Sequence, residues 1–207
     1  MGCMKIFLAS KSPRRRELLE NLNFPFQIVE NDIEEVSSEK EPSKYVMDLA
    51  FKKALKAAEN IKEEAIVIAA DTIVVVDGEI LGKPKDREEA FSMLKTLQGR
   101  EHIVYTGIAV IKLPEMKHSV DYQETKVWIR RLEDEDISNY IDTGECWDKA
   151  GAYAIQGFGS LIVEKIEGDY FNVVGLPVAK LFDLLKREFG VKWVGRGFEY
   201  KDKRLAL

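Results

Sequence analysis

Cysteine and histidine are scarce in this 207-residue chain, with two of each: Cys3 and Cys146, His102 and His118. The cysteines lack metal-type spacing, so a zinc site and a disulfide framework are both set aside, and the usage suits a reducing cytoplasm. Two histidines leave no room for a multi-histidine metal site. Long apolar runs are missing as well; none approaches the roughly 18–20 residues needed to span a bilayer. The segment Met1-Gly2-Cys3-Met4-Lys5 has no signal-peptide h-region, and Ile6 stands where a myristoylation signal needs Ser or Thr. No membrane partner is therefore expected. There is no basic excess either: 31 Lys and Arg against 36 Asp and Glu give a net charge of −5. Duplex nucleic acid calls for a basic face, so no nucleic-acid partner is expected, although local basic clusters can hold small anions.

What the chain does have is 45% hydrophobic and 32% charged residues. That suits one sizeable core, or two small lobes around a cleft. Strand and helix patterns alternate. Residues 5–9 form a short apolar run. Ser12 as N-cap with Pro13 at the first helical position then opens a helix with Leu18, Leu19 and Leu22 on one face. Residues 26–29 read as a strand and the acidic stretch 30–41 as a loop. A helix from Ser43 carries Val46, Leu49, Ala50, Ala54, Ala57 and Ala58. The continuous apolar run 65–70 predicts a doubly covered strand ending at Asp71-Thr72, followed by a hairpin turning at Asp77-Gly78. Asp86 with Glu89 is a capping box for a helix stopped by Gly99. Residues 102–112 and 120–131 read as two long antiparallel strands, 133–141 as a short acidic helix, 144–157 as loop and 160–166 as a strand. Gly175-Leu176-Pro177 opens a final helix, and residues 193–207 are basic and weakly patterned, with partial disorder expected. The class is α/β with a mixed sheet.

Four segments could carry chemistry. In Ser10-Lys11-Ser12-Pro13-Arg14-Arg15, a helix N-terminus with unpaired N–H groups favours phosphate, and arginine in a first turn opposes the helix dipole unless an anion offsets it. A solvated first turn with surface arginines is the alternative. Asp71-Thr72 follows an apolar strand, where ligands of open α/β sheets sit; Asp71 could hold a metal, poise a water, or only cap a turn. Lys83 in Gly82-Lys83-Pro84 is a site lysine or an exposed loop lysine. Lys52 and Lys53 share an amphipathic helix, and Glu34 and Glu35 lie in the acidic loop, whose default reading is charged surface. Residues 148–157, Asp148-Lys149-Ala150-Gly151-Ala152-Tyr153-Ala154-Ile155-Gln156-Gly157, can wrap a ligand closely, and the Gln156 amide both donates and accepts, as reading a nucleobase edge requires.

In order and spacing these motifs, together with Glu35, Lys53, Gly168-Asp169-Tyr170 and Gly175-Leu176-Pro177, resemble the Maf family of nucleoside triphosphate pyrophosphatases, over the chain to about residue 188. The resemblance implies a mixed twisted sheet with flanking helices and two lobes around a central cleft, a fold shared with the inosine-triphosphate pyrophosphatases. It implies a single catalytic domain over residues 1–190, with 191–207 as an extension. It implies hydrolysis of a nucleoside triphosphate to the monophosphate and pyrophosphate, by attack of water at the α-phosphorus, as nucleotide-pool housecleaning. Asp71 takes the proton-acceptor position. Arg14, Thr72 and Gln156 match three positions associated with substrate choice, and the Gln156 loop is similar to that of the subfamily acting on dTTP and UTP. Ser10, Arg15, Lys53 and Lys83 are assigned to the triphosphate, and Glu35 with Asp71 to a divalent metal, Mg²⁺ before Mn²⁺. A cytoplasmic homodimer is implied. Ala154 departs from the glycine of many members, and Arg16 receives no role. The alternatives are a pyrophosphatase for other nucleotides and a nucleotide-binding regulator of cell division in which hydrolysis is secondary.

Overall fold

The apolar run at residue 65 becomes a strand longer than its composition suggests. In the computed structural model, which describes residues 4–201 and 203–205, it extends through Asp71 and Thr72 into the expected hairpin. The readings of Gly2 and Cys3, and of positions 202, 206 and 207 in the tail, lie outside the described residues. The strands are β1 (Lys5–Ala9), β2 (Gln27–Ile28), β3 (Ala65–Val76), β4 (Glu79–Leu81), β5 (Arg100–Leu113), β6 (Lys117–Ile129), β7 (Val163–Gly168), β8 (Val191–Val194), β9 (Gly197–Tyr200) and β10 (Lys203–Arg204). The helices are α1 (Pro13–Asn21), α2 (Pro42–Ala58), α3 (Arg87–Leu97), α4 (Asp134–Asp142), α5 (Tyr170–Val174) and α6 (Val178–Phe189). A mixed sheet runs in the order β2-β1-β3-β5-β6-β7, with β4 also on β3, and β8–β10 form a separate small sheet. The mixed sheet and its helices match the α/β expectation. No described helix is long and apolar enough to cross a membrane.

The chain divides into two compact units, one of Met1–Asp71, Gly107–Tyr122 and Gly175–Leu207, the other of Thr72–Thr106 and Gln123–Val174. In the first, β1 runs parallel to both β2 and β3, in register from Lys5↔Ala65 to Ala9↔Ala69. Helix α2 buries Ala50, Ala54, Ala57 and Ala58 on Phe7, Ala9, Val67, Ala69, Ala109 and Ile111. This alanine stripe brings the helix backbone close to the sheet. At Gly107 the approach is closest, since a Cβ there would lie 2.2 Å from the Val46 carbonyl oxygen. The basic tail is built into this unit. Phe198 of β9 sits 4.8 Å from Phe24 and 4.9 Å from Phe182, centroid to centroid. An alternating pattern this short gives no strand signal, and the apolar partners it needs are supplied from distant sequence.

In the second unit, Asp77 and Gly78 turn β3 antiparallel into β4 with positive φ at both residues, the conformation that two-residue hairpins favour. Its core joins Leu94, Leu97, Val127, Ile129, Ile137 and Ile141. His102 lies buried there, 2.6 Å from the Tyr153 hydroxyl, and burial pushes its pKa down to about 4.

Several helix boundaries differ from expectation for identifiable reasons. Helix α2 starts at Pro42 with Glu41 as N-cap, because proline takes the first turn, and Ser43 turns its hydroxyl back onto the Glu41 carboxylate. Ser12 is the N-cap of α1 but makes no capping bond with its side chain. The Asp86 carboxylate caps the Glu89 N–H as expected, while Glu89 reaches back to the Lys85 N–H rather than to that of Asp86. Residues 160 and 161 belong to a 3₁₀ turn (Gly157–Leu161) and not to β7, and a short helix α5 precedes α6.

Gly107→Ala forces its methyl onto helix backbone that cannot swing aside. The expected cost is about 3 kcal/mol. Thermal unfolding should show it as a drop of about 6–10 °C in Tm; an unchanged Tm would show that α2 can retreat at no cost.

Candidate functional site

In the first unit, Glu35 and Asp71 meet around the ammonium group of Lys53. Lys53 lies on α2 in step with Val46, Leu49, Ala50 and Ala57, so the helical period turns it to the buried face. Its Nζ donates to Asp71 Oδ1 and to Glu35 Oε1, at 2.6 Å each. The Lys53 and Asp71 side chains are only 9% and 8% exposed, whereas Glu35 is 45% exposed. The Asp71 arm is therefore the costly one to break, and the Glu35 arm is screened by solvent. Lys52, one residue earlier, points outward to the Asp48 carboxylate and the Val36 carbonyl. The ambiguity between the two lysines is thus settled by helix rotation alone. Glu34 and Glu35 differ similarly, since only Glu35 is joined to Lys53.

Asp71 does not end a strand as expected; it lies inside β3, and the chemistry of the position comes from where its ladders stop. The β1 ladder ends at Ala69 and the β4 ladder begins at Val74. Ser10, directly after β1, is buried, and its hydroxyl accepts from the Ser12 N–H at 3.2 Å and from Arg15 Nη1 at 3.4 Å. Arg15 Nη1 also donates to the Ala70 carbonyl at 2.8 Å, and Nε donates to the Gly175 carbonyl at 2.7 Å. Desolvation pushes the Arg15 pKa down, and the fields of Asp71 and Glu35 oppose that. The first turn of α1 holds Arg14, Arg15 and Arg16 and no acidic residue. Tyr45 is raised by burial first, and then by the fields of Asp71 and Glu35. Asn31, which sequence reasoning passed over, is buried and donates from Nδ2 to the Ala9 carbonyl at 2.6 Å. A lone Asn in an acidic loop gives no signal of its own.

The second unit holds Thr72, Lys83 and Gln156. The Thr72 and Thr106 hydroxyls are 2.9 Å apart, and the Thr106 hydroxyl donates to the Asn172 carbonyl at 3.0 Å. Buried Asn172 in turn donates to the Val104 carbonyl and to Thr125 Oγ1. This polar network was not anticipated, because each member is an ordinary strand or helix residue in sequence. Lys83 is exposed, but its turn is fixed: the Gly151 N–H donates to the Gly82 carbonyl at 3.0 Å. Gln156 is half-buried at the start of a turn organised by Glu145, whose carboxylate accepts from the Phe158 and Gly159 N–H groups.

The donor chemistry bears on a divalent ion. Glu35 Oε1 and Asp71 Oδ1 approach one nitrogen at equal distance, so two hard oxygen donors already face a single cationic point. One or two carboxylates, with the remaining ligands taken from phosphate oxygens and water, is the pattern of Mg²⁺. Among the described residues no group of three or more His, Cys, Asp or Glu side chains could hold a metal. Both carboxylates contact the Lys53 ammonium, so a divalent ion that they held would draw its remaining ligands from phosphate oxygens and water.

The first unit of this α/β protein thus combines a basic helix start and a lysine held by two carboxylates. Comparison with known proteins agrees: the Maf pattern, Maf-like protein, matches residues 5–188, and the chain belongs to the Maf family. It is 69% identical over 189 residues to the dTTP/UTP pyrophosphatase of Thermoanaerobacter sp. (strain X514), covering 91% of this chain and 99% of that protein. It is 53% identical over 189 residues to the dTTP/UTP pyrophosphatase of Clostridioides difficile (strain 630), covering 91% and 97%. Against a solved nucleoside-triphosphatase / dITP/XTP pyrophosphatase from Mycobacterium abscessus, the identity is 19% and the TM-score 0.39, over 62% of this chain and 74% of that one.

Lys53→Met keeps the stem and strands a buried carboxylate. Urea unfolding should show a loss of about 3 kcal/mol, with part of it recovered when Asp71→Asn is added. A cost below about 1 kcal/mol would mean that the pair is solvated.

Proposed function

We propose that this protein hydrolyses dTTP and UTP to the nucleoside monophosphate and pyrophosphate, clearing these nucleotides from the pool. The observation that carries the reading is the Glu35–Lys53–Asp71 cluster beside the arginine-bearing start of α1, in a chain so similar to proteins named dTTP/UTP pyrophosphatase. Residues 1–190 act as one catalytic domain and 191–207 as its extension, in a cytoplasmic homodimer.

In this reading Ser10 and Arg14, with the N–H groups at the start of α1, bring donors to the triphosphate, and Arg15 adds positive charge. Lys53 and Lys83 add point charges. Glu35 and Asp71 would hold Mg²⁺, with Mn²⁺ as a substitute, and the ion would offset phosphate charge. Asp71 orients a water toward the α-phosphorus and takes its proton. The water oxygen bonds to that phosphorus as the bond to the α,β-bridging oxygen breaks, and pyrophosphate leaves with the electron pair. Most of the acceleration comes from positioning and fixed charge. Thr72 lies next to Asp71 in the chain and contributes its hydroxyl to substrate choice. Gln156 donates to O4 and accepts from N3–H of uracil or thymine.

Asp71→Asn preserves shape and removes the base, so pyrophosphate release from UTP should fall by about 100-fold or more; near-normal turnover would rule out a role for Asp71 as base or metal ligand. Cytosine reverses the hydrogen-bond pattern offered to Gln156 and leaves a buried polar group unpaired, at a cost of about 1–3 kcal/mol. CTP should therefore be turned over at least about tenfold more slowly than UTP. Equal rates would remove Gln156 as the base reader.

A further inference from the structure

The Arg15 guanidinium is turned toward the protein's own backbone. Three of its N–H donors point at protein acceptors: Nε at the Gly175 carbonyl, Nη1 at the Ala70 carbonyl and at Ser10 Oγ. These acceptors come from the turn after β1, from β3 one residue before Asp71, and from the turn into α6. Gly175 has φ of 118°, a conformation that aims its carbonyl as few other residues could. Ala70 lies between the end of the β1 ladder at Ala69 and the β4 ladder at Val74, so a side chain serves its carbonyl.

We infer that Arg15 is a positioning residue: its guanidinium fork ties the Ala70 carbonyl to Ser10 and Gly175 and thereby fixes the direction of the Asp71 carboxylate. Resting on the proposed hydrolysis, this assigns Arg15 a part that acts through Asp71, beyond any charge it lends to phosphate. Charge and fork are separable. Lysine keeps the charge but cannot reach two carbonyls in fixed geometry. Misplacing a catalytic group by about 1 Å costs about 100-fold in rate, while the ground-state grip on the substrate is left alone.

The experiment compares wild type, Arg15→Lys, Arg15→Gln and Arg14→Ala, with the two Arg15 changes also made in the Asp71→Asn background. Pyrophosphate release from UTP with Mg²⁺ gives kcat, and titration with α,β-methylene-UTP gives Kd. The expected result for Arg15→Lys is a fall of about 100-fold in kcat with Kd changed by no more than about twofold, whereas Arg14→Ala weakens the analogue. In the Asp71→Asn background the same Arg15 changes should cost no more than about threefold further, because the group they position is already gone. A loss of stability alone would cost the same in both backgrounds. Losses that multiply in the double variants, a kcat for Arg15→Lys equal to wild type, or a loss lying wholly in Kd would each overturn the inference. If the wild type released no pyrophosphate from UTP or dTTP, the proposed activity would fall, and amide hydrogen exchange would then decide the inference. Arg15→Lys should speed exchange at residues 70–72 and leave β7 unchanged; unaltered exchange there would overturn the Arg15 role.

Discussion

One buried ammonium group organises the first unit. An unpaired Lys53 on the inner face of α2 would cost more than the alanine stripe beside it could offset. Asp71 makes it tolerable, and Glu35 adds a second, looser contact from the acidic loop. The loop, the helix and β3 thereby acquire a common reference point. The two carboxylates also remain aimed at one place, the Lys53 ammonium.

Around that point the backbone is held by side chains where sheet ladders run out. Asn31 serves the Ala9 carbonyl, Ser10 serves the Ser12 amide, and Arg15 serves the carbonyls of Ala70 and Gly175. Buried peptide groups must find partners, so the end of a ladder is where polar side chains are drawn in.

The second unit treats a glycine-rich loop in the opposite way from what its composition suggests. Asp148, Gly151 and Ala152 adopt positive φ, yet Gly151 is pinned to Gly82 and packed close to Val74, and Glu145 ties the turn that follows Gln156. The glycines serve close approach rather than looseness. A loop of this kind holds Gln156 at the start of a fixed turn.

The alternation of apolar runs, the proline at the start of α1, the Asp77-Gly78 turn and the order of short motifs were all legible in the chain, because each depends on neighbours within a few residues. So was the candidacy of Asp71 and Arg14, which rests on residue type at motif spacing. Three things were not legible. The residue pattern left Lys52 and Lys53 equivalent and only the resemblance named Lys53; its burial depends on which face of α2 meets the sheet. Asp71 read as a strand end because local sequence cannot show that β3 continues while its partner stops. The tail at 193–207 read as weakly patterned because Phe198 finds Phe24 and Phe182 only after folding. Local propensity and spacing thus determined the elements and the reactive residue types. Burial, register and the pairing of distant polar groups were decided by the tertiary structure, since these are properties of residues far apart in sequence that folding alone brings within bonding distance.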